Sequence, residues 1–152
     1  MKLKPFVSAD KVVLNLESGS QGDILKQLML PLVKVGNMIA NEEEFLSDLI
    51  TRENEVTTVM ENGIAFPHAR SEAVNRLCLV VGLAPDGIQF SPEKGNTSKV
   101  IFLIGVPSFA PTAHIPILQS LATFAKDEVR LEKLLAAKTP AQAVKVLATY
   151  KG

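Results

Sequence analysis

The run Leu77-Cys78-Leu79-Val80-Val81-Gly82-Leu83 is apolar from end to end. It is far shorter than the ~20 residues a membrane helix requires. Its leucines and valines are what a strand covered on both faces carries. Lys99-Val100-Ile101-Phe102-Leu103-Ile104-Gly105-Val106 repeats the pattern. Two strands that show neither face to water need helices above and below them. Outward from the first run, Pro85-Asp86-Gly87 is expected to turn the chain, and Ile88 and Phe90 then alternate about Gln89. Residues 63–66 read as a short apolar strand, and residues 12–16 as another, bounded by Ser18-Gly19-Ser20.

Around these strands the apolar period lengthens to that of a helix. Ile24, Leu25, Leu28, Leu32 and Val35 share one face from Gln21 onward, with Gly36 as the stop and Pro31 expected to kink the helix or end it early. Asn41 can cap a second helix, with Glu44 completing a capping box and Phe45, Leu46, Leu49 and Ile50 as its apolar face. The end of the chain is helical over residues 113–125, 127–137 and 140–149, the last opening with Thr139-Pro140-Ala141-Gln142. Strands flanked by helices on both sides define an α/β chain, a three-layer α/β/α sandwich read as a single domain over residues 1–152. Strand order is not legible at this level.

Composition narrows the function. The chain has 152 residues, 47% of them apolar, and its 16 basic residues balance 16 acidic ones. Zero net charge excludes the usual strongly basic nucleic-acid footprint. One cysteine, Cys78, cannot make an internal disulfide and lies inside an apolar strand, so it reads as a buried hydrophobe in a cytoplasmic protein. Neither a signal peptide nor a membrane span is expected.

The two histidines carry the chemistry. His68 closes Glu61-Asn62-Gly63-Ile64-Ala65-Phe66-Pro67-His68-Ala69-Arg70. Pro67 fixes its own φ and pushes Phe66 into extended conformation, so the imidazole leaves a strand end in a defined orientation, as a nucleophile should. The alternative is a turn histidine bonded to backbone. His114 follows Phe109-Ala110-Pro111-Thr112-Ala113; with Thr112 as cap it would sit in the first helical turn, where free N–H groups favour an anion. The alternative is a surface or capping histidine. Both follow strand exits and would converge at one sheet edge. Arg52, at the end of the second helix, can clamp phosphoryl oxygens with its planar fork, or can simply be a solvated helix-end charge. Thr57 and Thr58 offer hydroxyls nearby. Two histidines without clustered carboxylates or thiolates make a poor metal site, and there is no phosphate-cradling GxxxxGK[ST]. No cofactor is expected.

Arg52-Glu53, Thr58 and Asn62-Gly63-Ile64-Ala65-Phe66-Pro67-His68-Ala69 together resemble the signature of type-2 enzyme IIA domains of the phosphoenolpyruvate-dependent phosphotransferase system, the fructose, mannitol and nitrogen-regulatory group. The resemblance continues through Gly87-Ile88-Gln89-Phe90, Gly105-Val106-Pro107, His114 and Leu131-Glu132-Lys133-Leu134-Leu135. It implies a mixed central sheet and a phosphoryl carrier. His68 would accept the group on Nε2 from a phosphorylated HPr-like protein, with His114 and Arg52 steadying it. Thr58, Asn62, Gly63, Pro67 and Ala69 would stabilise the phosphoryl group or contact partners. The onward partner would be an enzyme IIB cysteine or a regulatory target. The nitrogen-regulatory role is the reading preferred here; a sugar-specific subunit and a degenerate binding module are the alternatives. Val59, Met60 and Glu61 stand where the family loop is often small and glycine-rich, with consequences expected for transfer rate and donor identity. Met60 and Ile64 are the apolar residues expected to meet a partner.

Overall fold

Residues 2–60, 62–91 and 97–150 are described in the computed structural model of the chain. Short 3-10 turns at Lys4–Phe6 and Ala9–Lys11 lead into β1 (Val12–Val13). Two helices follow, α1 (Gln21–Val35) and α2 (Glu42–Glu55), then the short strands β2 (Ile64–Ala65) and β3 (His68–Ser71). The apolar runs form the long strands β4 (Cys78–Ile88) and β5 (Ser98–Pro107). The chain ends in α3 (Ile115–Ala125), α4 (Glu128–Leu135) and α5 (Pro140–Ala148).

The sheet is mixed, as expected. Its order is β1-β4-β5-β2, with β3 also paired to β5. β4 and β5 are antiparallel, while β1 runs parallel to β4 and both β2 and β3 run parallel to β5. Ile64 lies opposite Val100 and His68 opposite Ile104. β2 and β3 are thus successive pieces of one edge, interrupted at Phe66-Pro67. Pro67 has no N–H to give, but its carbonyl still accepts from Ile104 N–H at 3.0 Å, so β5 holds both pieces in register.

Side chains alternate along the long strands, sorting the interior into two cores. Val80, Ile101 and Leu103 pack under α1 and α2 with Leu25, Leu28, Phe45 and Leu49. Leu79, Val81, Phe102 and Ile104 pack on the other face against Ile117, Leu121 and Phe124 of α3 and Leu147 of α5. This is the three-layer α/β/α arrangement.

Several local expectations change. Pro31 lies inside α1, and the helix runs on to Val35. An interior proline costs ~3 kcal/mol or more, but Leu28, Met29 and Leu32 are buried around it, so sheet contact holds the helix together. Pro85-Asp86-Gly87 does not reverse the chain. β4 continues through it to pair Ile88 with Ser98, after a register shift beyond Leu83. A bulge is where a strand tolerates proline, and Gly87 supplies the positive φ, 84°, that it requires. At α5, Thr139 caps Gln142 N–H as read, while the Gln142 side chain accepts from Lys138 N–H at 2.7 Å, one residue earlier than the capping box predicts.

Candidate active site

His68 opens β3; it does not leave the end of a strand. The strand before it stops at Ala65, because Phe66-Pro67 breaks the ladder. The consequence for the ring is specific: His68 Nδ1 lies 2.7 Å from the Phe66 carbonyl oxygen. A carbonyl only accepts, so Nδ1 carries the proton and the lone pair resides on Nε2.

His114 also sits one step from its expected place. It is the N-cap residue of α3 itself, without a side-chain capping bond, and helical bonding starts from its carbonyl to Leu118 N–H. Thr112 contributes a turn through its carbonyl, which accepts from Ile115 N–H at 3.2 Å. Pro116, unable to donate, suits the first helical turn and sets the start there. His114 is 8% exposed and its Nδ1 has no hydrogen-bond partner.

The two rings meet, with centroids 5.5 Å apart and planes tilted by 37°. They share a cleft of about 360 Å³ in which α2 contributes Asp48, Thr51, Arg52 and Glu55, and β3 contributes His68, Ala69 and Arg70. Arg52 Nη1 donates to the Val56 carbonyl at 2.9 Å, tethering the guanidinium to the helix end. Burial foremost lowers the pKa of His68 below the ordinary histidine value; Arg52 and Arg70 add to this, while the Phe66 carbonyl and Glu53 oppose it. Burial, then His68 and Arg70, lowers that of His114. Both shifts favour the neutral ring, in a cleft that also holds two guanidinium groups.

The remaining expected residues divide by position. Thr58 is buried behind His68: its hydroxyl donates to Glu53 at 2.8 Å and accepts from Phe66 N–H at 3.2 Å. Pro67 holds the β5 register, and Ala69 forms part of the cleft wall. Asn62 donates to the Ala125 carbonyl at 3.3 Å, tying the turn to the end of α3. Gly63 has φ 83°, and its carbonyl accepts from Lys99 and Val100. Both shape the approach to the edge without lining the cleft. Sequence reasoning did not single out two contributors. Arg70 has a strand-period signal, standing two residues from His68 on the same side. Glu53, 3% exposed, is distinguished by burial, which the sequence did not reveal.

A shallow apolar groove of about 290 Å³ flanks His68 on its other side, lined by Thr58, Met60, Phe66, Leu118 and Ala122. Met60 is 50% exposed there, whereas Ile64 is fully buried in the core and offers a partner nothing. Val59 packs against the α1/α2 core, and Glu61 lies outside the described residues. Cys78 is buried, and burial pushes its thiol up to about 11. Among the described residues no three potential ligands cluster to hold a metal ion, and no helix is long and apolar enough to cross a membrane.

Residues 5–150 match the family model described as phosphoenolpyruvate-dependent sugar phosphotransferase system, EIIA 2. A fructose-specific EIIA component of Haloferax volcanii is 30% identical over 80% of this chain and 79% of its own length. The mannitol-specific phosphotransferase enzyme IIA component of Bacillus subtilis is 28% identical over 88% of this chain and 90% of its own. The chain spans only 22% of the fructose-specific EIIABC component of Bacillus subtilis, at 24% identity over 91% of this chain. In fold, the crystal structure of IIA mannitol from Escherichia coli superposes with a TM-score of 0.77 at 23% identity, covering 93% of this chain and 99% of that one. The nitrogen regulatory protein IIA-Ntr of Neisseria meningitidis gives 0.73 at 20% identity, over 95% and 98%.

Proposed function

The chain belongs to the EIIA 2 family of the phosphoenolpyruvate-dependent sugar phosphotransferase system, and is thus a phosphotransferase component that carries a phosphoryl group; from this we propose that His68 is the residue that carries it, that His114 and Arg52 hold the group in transit, and that the protein serves sugar uptake. The observation behind this reading is the juxtaposition of the two imidazoles, 5.5 Å apart, with Arg52 in the same cleft.

The chemistry follows from these positions. The Nε2 lone pair of His68 attacks phosphorus in line as the bond from phosphorus to the donor's nitrogen breaks, and the bonding pair leaves with the donor. No proton has to leave Nε2, because the proton is already on Nδ1. The transition state is loose and spreads charge over three equatorial oxygens, so positioned cations supply most of the stabilisation. Arg52, through its planar fork, and Arg70 supply that charge. Neutral His114 supplies a hydrogen bond. In the return step a thiolate of an enzyme IIB would attack the same phosphorus and His68 would recover its lone pair. The apolar groove beside His68 gives such a protein a place to press against, and Met60 is its exposed centre.

Sugar uptake is favoured over the nitrogen-regulatory role because the relatives that match in sequence over most of both chains are named for fructose and mannitol. The nitrogen-regulatory likeness is one of fold. A complex of enzyme IIA and phosphorylated enzyme IIB for mannitol from Escherichia coli has the same fold in its IIA chain, with a TM-score of 0.77 at 22% identity. Incubation with phosphoenolpyruvate, enzyme I and HPr should add one phosphoryl group by intact mass, and His68→Ala should add none. A His68→Ala protein that still gains the group would overturn the assignment. Efficient passage to a sugar enzyme IIB supports uptake; a phosphorylated protein that no such IIB can discharge points to regulation.

A further inference from the structure

A chain of hydrogen bonds leads away from the reactive ring into the protein. The Phe66 carbonyl that takes His68 Nδ1–H belongs to the residue whose N–H donates to Thr58 Oγ1, at 3.2 Å. Thr58 has spent its only hydroxyl proton on Glu53 Oε1, at 2.8 Å, so it meets Phe66 purely as an acceptor. The same carboxylate takes Thr58 N–H at 2.6 Å and the Thr57 hydroxyl at 2.9 Å. Three donors converge on Glu53, which is 3% exposed, and its two oxygens act as acceptors throughout.

Burying a carboxylate is expensive unless donors surround it, and a neutral amide of the same shape could accept only part of this set. The retained charge has a direction. Arg52 and Arg70 withdraw basicity from His68, whereas Glu53 opposes them. In the transition state the ring becomes partly positive as phosphorus bonds to Nε2, and the nearby buried carboxylate of Glu53 favours that polarity through space. We propose that Glu53 is a positioning residue for His68, acting through Thr58 to hold the Phe66 backbone where its carbonyl fixes the reactive ring in its Nδ1–H form, and supporting the charge the ring gains. The inference rests on His68 being the phosphoryl acceptor, and extends it to what makes that histidine reactive.

The full chain, labelled with ¹⁵N-histidine, reports ring tautomer and titration directly. Unmodified protein should show His68 with Nδ1 protonated, and a ¹³C label on the Glu53 carboxyl should respond at the midpoint of the His68 titration. Glu53→Gln should lower the His68 pKa, reduce the Nδ1–H population and slow phosphorylation about 10–100-fold, by analogy with the groups that orient metal-bound histidines. Thr58→Val should act alike, and Thr58→Ser, which keeps the hydroxyl, should stay within about twofold of the parent, on the same scale. A drop in melting temperature with tautomer, titration and rate unchanged makes Glu53 merely structural and overturns the proposal. Should the variants fail to fold, an Nε2–H tautomer in the parent protein, or a Glu53 signal indifferent to His68, overturns it, while a Glu53 signal that follows His68 supports it. These readings are independent of transfer: a parent protein that gains no phosphoryl group while its tautomer behaves as described refutes the acceptor role alone.

Discussion

Adding one methyl group at Gly105 tests how the site is held in place. Gly105 lies on β5, paired on one side with Ala69 of β3, next to His68, and on the other with Cys78 of β4. A Cβ built there would stand 2.8 Å from Cys78 Sγ, 3.3 Å from Phe45 Cζ and 3.4 Å from Val74 Cγ1. All three neighbours are buried, so none can swing into solvent. Overpacking of this kind costs about 1–3 kcal/mol. In a domain of this size ~1 kcal/mol corresponds to ~2–4 °C, so Gly105→Ala should lower the melting temperature by roughly 2–12 °C. The closest contact is with the sulfur alone. Cys78→Ala removes that atom and by itself leaves a small cavity, worth about 1 kcal/mol. The double variant Gly105→Ala/Cys78→Ala should therefore recover at least half the loss, with a coupling energy of about 1 kcal/mol or more, in the range seen for residues in contact. Urea denaturation of the four proteins measures it. Strict additivity would refute the claim that the sulfur limits the space at Gly105.

Other outcomes concern the cleft and the groove. Arg52→Lys should keep the fold but slow phosphorylation about tenfold or more, because an ammonium cannot replace a fork that holds two oxygens; a rate within twofold in quenched-flow phosphorylation contradicts the role given to Arg52. Met60→Asp, at an exposed position, should raise the partner concentration needed for half-maximal transfer while leaving the melting temperature within about 2 °C, since surface changes usually cost under ~0.5 kcal/mol. Unchanged transfer would remove the groove from the docking surface. The histidines bear on pH: both have folded-state pKa values below the unfolded ~6.5. The unfolded chain therefore binds more protons as pH falls through 6.5, and stability should fall with it until the folded-state pKa values are passed. His68→Asn/His114→Asn should flatten that slope in melting curves taken between pH 7 and pH 5. Pro31→Ala should raise stability by about 1–3 kcal/mol by restoring a helical N–H donor inside α1; a loss in denaturation would show that the proline ring is needed for packing.

Much of the fold was legible because its strongest signals are local. The apolar runs at β4 and β5 exceed what an exposed strand carries, and Asn41 and Thr139 mark helix starts by chemistry that acts over three residues. The mistakes arose where tertiary contact overrode local preference. Pro31 remains helical because the sheet holds its neighbours, and Pro85-Asp86-Gly87 becomes a bulge because β5 continues to offer pairing partners beyond it. For the site, His68, His114 and Arg52 could be named from sequence and resemblance, and the cleft contains all three. Glu53 could not be assigned a task, since an acid at the end of an acidic helix is usually solvated, and its importance lies in a burial that depends on how the Thr57-Thr58 turn folds back over it. Arg70 was not assigned a task either, although strand periodicity already put it beside His68.

β5 has one more implication. It is the common backing for both histidines: the segment bearing His68 is stitched along its length, and its last residue, Pro107, starts the short path to His114. The separation of the two rings is thus set by the central strand, and no lid has to close to create it. Such a receiver stands ready before any donor arrives.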